Sequence, residues 1–124
     1  EAHDITDAIS HATCLIAYNL NAKAIITVTK SGTTAYMISR FRSDIPIIAC
    51  TPDATVLRQM TLSWGVTGIM VGEERVMEVL FDRAISTAKH AGLVDAGDLV
   101  VLTTGIPLSQ AGSTNLIKVV RVPD

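Results

Sequence analysis

The chain has 124 residues, 48% of them hydrophobic but only 4% aromatic, with a net charge of −2 and a pI near 5.9. That length fits one domain, and the mild acidity argues against a general nucleic-acid or membrane-surface binder, which needs a basic face. A domain of this size buries roughly two-thirds of its unfolded surface, and here the core must be built from Ile, Val, Leu and Ala. Mean hydropathy is high at +0.40. No apolar run approaches the roughly 18 residues of a membrane span, so the excess fits buried strands and a buried subunit interface.

In chain order, residues 5–20 form the first predicted helix, because Ile5, Ala8, Ile9, Ala12, Ile16 and Leu20 recur at helical spacing. Asp4 and Thr6 are its candidate caps. Residues 22–29 (AKAIITVT) read as a short, β-branched strand and 33–41 as a helix beginning after Gly32. A second strand follows over 46–51, then a helix opened by Pro52-Asp53 and running to about Trp64, then a strand over 66–71. The longest predicted helix spans 73–91, with Val76, Val79, Leu80, Ala84 and Ala88 on one face, Glu73-Glu74 at its start and Gly92 as its stop. Strands over 99–104 and 116–122 flank a Gly/Ser-rich loop over 105–113.

This α-β-α-β-α-β-α-β-β order predicts an α/β fold in three layers. A five-stranded, mostly parallel sheet has helices on both faces. The last strand follows the fourth with no helix between them, so it is expected to be antiparallel and at an edge. Residues 1–124 are treated as one domain. The start at Glu1 rather than Met, with no signal peptide, suggests a segment cut from a longer polypeptide. Cys14 and Cys50 lie in apolar runs without a CxxC motif and read as buried thiols, with a disulfide left open. A reducing cytoplasm is the default location.

Ligands of open α/β sheets bind beyond the carboxyl ends of the strands. Two loops there have unusual composition. Thr29-Lys30-Ser31-Gly32-Thr33-Thr34 leads from the first strand into a helix N-terminus. It combines unpaired N–H groups, a glycine that permits close approach, three hydroxyls beyond Thr29 and one ammonium, all suited to a phosphate. An ordinary helix cap with a turn glycine would show the same residues, and the GxxxxGK[ST] spacing of a P-loop is absent. The second loop, Gly105 to Asn115, places Gly105, Ser109, Gly112 and Ser113 where they could close over a ligand or simply connect two strands. Trp64, at a helix end beside Gly65, is either a core-edge residue or a stacking surface for a ligand. His3, His11 and His90 lack metal-ligand spacing, and no GxSxG, HExxH or GxGxxG motif occurs.

Several segments together resemble the C-terminal domain of pyruvate kinase, of the bacterial type. They are Ile5-Thr6-Asp7-Ala8-Ile9, AKAIITVTKSGTTA over 22–35, Pro46-Ile47-Ile48-Ala49 with Thr51-Pro52, Arg58-Gln59 and Trp64-Gly65-Val66. Gly97-Asp98-Leu99-Val100-Val101 and TTGIPLSQAGSTNLIKV over 103–119 complete the set, so the resemblance covers essentially the whole chain. It implies a regulatory and tetramer-forming domain. The chemistry, phosphoryl transfer between phosphoenolpyruvate and ADP with magnesium and potassium, would belong to a barrel domain of which no part is visible here. The resemblance further implies that residues 29–34 grip the phosphate of an effector and that 105–113 lie over it. In relatives regulated by fructose 1,6-bisphosphate, a tryptophan and an arginine ahead of the last strands meet the second phosphate. No matching pair lies between Glu73 and Gly97, so a sugar monophosphate or AMP is the expected effector class. No cofactor is expected in this domain. A mainly structural, assembly role is the alternative, with the first helix and the last strand meeting symmetry mates.

Overall fold

The computed structural model describes residues 2–104 and 116–124. Nine elements follow in the expected order: α1 (Ala2–Asn19), β1 (Ala24–Val28), α2 (Thr33–Ser39), β2 (Ile47–Thr51), α3 (Ala54–Met60), β3 (Val66–Met70), α4 (Met77–His90), β4 (Leu99–Thr104) and β5 (Leu116–Arg121). They build one five-stranded sheet of order β3-β2-β1-β4-β5. The pairs β1–β2, β2–β3 and β1–β4 are parallel, and β4–β5 is antiparallel. The fold class read from the sequence is therefore the observed one.

Alternation along each strand sends side chains to two separate cores. Ala24, Ile26, Ile48, Cys50, Val100 and Leu102 face α4, which contributes Leu80, Phe81, Ala84, Ile85 and Ala88. Ile25, Ile47 and Val101 point the other way, toward Cys14 and Ala17 of α1 and Ile38 of α2. Ala35, Ala49 and Met60 extend that second layer under α2 and α3. The two cysteines are both buried and free, and they sit on opposite sides of the sheet, which excludes a disulfide between them. Burial raises both thiol pKa values, and that of Cys50 reaches about 12.

Three details differ from the sequence expectation. First, α1 already begins at Ala2, so positions 4 and 6 lie inside the helix rather than at its cap. Its buried face is not the Ile/Ala stripe but Thr6, Ser10, Thr13, Cys14 and Ala17, while Ile5, Leu15, Tyr18 and Leu20 are exposed. Second, the fourth helix starts at Met77, not at Glu73. Glu74 stands ahead of it and accepts the N–H groups of Arg75 and Val76, each at 3.1 Å, with one carboxylate oxygen. Third, Val76 and Val79 are exposed, because Leu80, Phe81, Ala84, Ile85 and Ala88 fill the space against the sheet.

Helix ends follow known capping chemistry. Asp53 accepts the N–H groups of Thr55 at 2.8 Å and Val56 at 3.2 Å, capping α3. After α4, Gly92 takes φ +77° and its N–H bonds Lys89 O, while Leu93 N–H bonds Ala88 O. This paired pattern is a Schellman ending, as the position of Gly92 predicts.

Candidate functional site

The strand order reverses direction between β1 and β4. From β1 the chain steps outward to β2 and β3, then crosses back to β4 on the other side of β1. The carboxyl ends of β1 and β4 thus flank the switch point where an open α/β sheet offers a crevice. The loops leaving those two ends are 29–34 and 105–115. The residues Gly105, Ser109, Gly112 and Ser113 lie outside the described residues.

The 29–34 loop is tightly folded. Thr29 N–H still belongs to the sheet, bonding Cys50 O at 2.9 Å. Its hydroxyl turns forward and accepts Gly32 N–H, also at 2.9 Å. Gly32 has φ +84°, a left-handed conformation that L side chains rarely adopt. The chain then enters α2, whose N-cap residue is Gly32 itself, with no side chain to cap the helix. Ser31 Oγ donates to Thr33 Oγ1 at 2.9 Å and accepts Thr33 N–H at 3.3 Å. Lys30 extends to the neighbouring β3–α4 segment, where its ammonium meets Glu73 Oε1 at 3.3 Å. Ser31 and Thr33 are partly open to solvent, while Thr29 and Thr34 are buried beneath them. The structure therefore brings Thr29 to Thr34 together as a compact hydroxyl-bearing loop with one ammonium at its rim.

Beyond the loop, the same sheet edge is rich in carboxylates. Asp53 follows β2, and Glu73 and Glu74 follow β3. Glu74 is held by Arg83 at 3.5 Å as well as by the two backbone N–H groups.

Trp64 is not brought to this site. It immediately precedes β3, at the amino-terminal edge of the parallel strands, whereas residues 29–34 follow β1 at the carboxyl edge. There Ser39 Oγ donates to Trp64 O at 2.7 Å, and the Arg42 guanidinium lies 5.2 Å from the indole centroid. Parallel strand order alone was enough to foresee this separation. Glu73, in contrast, is a site neighbour that sequence reading assigned to a helix start.

His11 stacks on Phe41 with ring centroids 4.9 Å apart, and His90 Nδ1 bonds Ser86 O at 3.0 Å. Among the described residues, no group of three His, Cys, Asp or Glu side chains could hold a metal ion. No helix among them is long and apolar enough to cross a membrane.

Residues 7–120 match the family model for the pyruvate kinase alpha/beta domain. Pyruvate kinase of Clostridium acetobutylicum is 40% identical over 119 residues, covering 96% of this chain and 25% of the relative. Pyruvate kinase of Geobacillus stearothermophilus is 42% identical over 120 residues, covering 97% of this chain and 20% of the relative. The chain thus spans a quarter or less of the length of these relatives. Among solved structures, a pyruvate kinase from Cryptosporidium parvum superposes with a TM-score of 0.85 at 34% identity, over 96% of this chain and 23% of that one.

Proposed function

Since the chain belongs to the pyruvate kinase alpha/beta domain family, we propose that it is the regulatory domain of a pyruvate kinase and that its 29–34 loop holds the phosphate of a small effector. The observation that supports this most is the loop's position. A lysine and several hydroxyls are gathered at the carboxyl end of the central strand, beside the strand-order switch. Phosphoryl transfer from phosphoenolpyruvate to ADP, giving pyruvate and ATP, is assigned to a barrel domain of the parent polypeptide in the cytoplasm. Magnesium and potassium serve that barrel. The isolated domain is not catalytic in this reading, and Lys30 is an anchor for charge.

The effector acts by differential affinity. If it binds one quaternary state of a homotetramer more tightly, it shifts the balance by a coupling energy of about 1–3 kcal/mol. A sugar monophosphate or AMP fits better than fructose 1,6-bisphosphate, because the loop supplies one ammonium and carboxylates border it. A thermal-shift screen of the domain against sugar phosphates and AMP tests the reading. A ligand at 100 times its Kd stabilises by about 2.7 kcal/mol. Lys30→Ala with Thr33→Ala should abolish the shift, and no shift with any phosphate would defeat the assignment.

A second reading, assembly, has its own observation. Ile5, Leu15 and Tyr18 point outward from α1, and β5, at the end of the strand order, carries the exposed Val119. Sedimentation at rising concentration distinguishes a self-associating domain from a strict monomer.

A further inference from the structure

Lys30 and Glu73 are 43 positions apart in sequence and 3.3 Å apart in space. They meet because β1 and β3 run parallel with β2 between them, so the segments after both strands leave the same edge of the sheet. Lys30 is the only cation in the 29–34 loop. That cation already meets a carboxylate. The side chains are 44% and 72% exposed, so solvent screens the pair and an incoming anion can replace Glu73 without unfolding anything.

Glu73 differs here from its neighbour. Glu74 is held in place by Arg83 and by the N–H groups of Arg75 and Val76. Among the described residues, the ion-pair partner of Glu73 is Lys30. Displaced from Lys30, Glu73 remains tethered beside the loop as a free negative charge. One phosphate compensates for that charge by its own contact with Lys30 and the hydroxyls. A second phosphate on the same ligand meets the displaced carboxylate without a cation of its own in the loop.

We propose that Glu73 is a selectivity residue, a tethered carboxylate that occupies Lys30 until an anion displaces it and that favours ligands with one phosphate over ligands with two. This rests on the reading of 29–34 as a phosphate site.

The test is calorimetric titration of the 124-residue chain with inorganic phosphate, ribose 5-phosphate and fructose 1,6-bisphosphate. Glu73→Gln keeps the side-chain volume and removes the charge. It should tighten phosphate and ribose 5-phosphate by about two- to fivefold, the scale of an exposed ion pair. The bisphosphate should gain by a larger factor than ribose 5-phosphate. Asp44→Asn removes one exposed charge at the opposite end of the sheet and should change none of the three. Adding Lys30→Ala to Glu73→Gln should erase the gain. If Glu73→Gln changes nothing while Lys30→Ala weakens phosphate, the role of Glu73 is overturned and the phosphate site stands. Equal gains for mono- and bisphosphate overturn the selectivity. If no phosphate binds either protein, the site itself is wrong and this proposal falls with it.

Discussion

Thr29 Oγ1 accepts the backbone N–H of Gly32 at 2.9 Å, closing the loop on itself three residues after the chain leaves the sheet. The closure requires the left-handed φ of +84° at Gly32. A Cβ at that position would also come within 3.2 Å of Met60 Cγ on α3. Gly32→Ala should therefore destabilise the domain by about 1–2 kcal/mol, read as a lower urea midpoint at unchanged m-value. Thr29→Val, which only removes the acceptor, should cost about 1 kcal/mol. A neutral Gly32→Ala would mean that the turn is not held left-handed in solution.

Two buried hydroxyls, Ser10 Oγ on α1 and Thr27 Oγ1 on β1, have no hydrogen-bond partner among the described residues. Thr27→Val is nearly isosteric, keeps the β-branch and removes the unmet polar atom. It should leave stability unchanged or raise it by up to about 1 kcal/mol. Thermal unfolding measures this, and a loss above 1 kcal/mol would reveal a partner such as an ordered water.

Cys50 makes stability depend on alkaline pH. Its thiol pKa rises from 9.0 to about 12 through burial, so the folded state keeps a proton that the unfolded chain releases. The stabilisation is intact below pH 9 and is lost as pH climbs from 9 toward 12, at about 1.4 kcal/mol per pH unit from this group alone. Urea unfolding of the wild type and Cys50→Ala between pH 8 and about pH 10.5 should show a shallower slope in the variant. Cys50 should also resist thiol reagents until the domain unfolds.

Trp64 reports on the wrong end of the sheet for an effector at 29–34. Its indole emission should stay unchanged when phosphate ligands are titrated, whereas Arg42→Ala should alter it by removing the guanidinium stacked 5.2 Å from the ring. Quenching of Trp64 by a sugar phosphate would indicate binding at the amino-terminal edge instead.

The strands were legible because β-branched runs such as Ile25-Ile26-Thr27-Val28 and Ile47-Ile48 leave little alternative, and the missing helix before β5 dictated its antiparallel direction. The faces of the helices were less so. In α1 small polar residues, Thr6, Ser10 and Thr13, pack inward, whereas Ile5 and Leu20 of the expected apolar stripe are exposed. Apolar spacing alone does not register small polar residues on a buried face. The start of α4 was misplaced because an acidic pair suits a first helical turn, yet Glu74 here serves the N–H groups of Arg75 and Val76 just ahead of it. The 29–34 loop could be picked out from composition, but its contact with Glu73 required knowing that β1 and β3 end at the same edge of the sheet with only β2 between them.

β1 is the middle strand of the five and is bonded to β2 on one side and β4 on the other. Its ladder extends one residue past the strand, through Thr29 N–H to Cys50 O. In hydrogen–deuterium exchange the amides from Ile25 to Thr29 should be among the slowest in the domain, while those of Lys30 and Ser31, one and two residues later, should exchange early. The boundary between the least and most labile backbone would then fall within a single peptide unit, at the root of the loop.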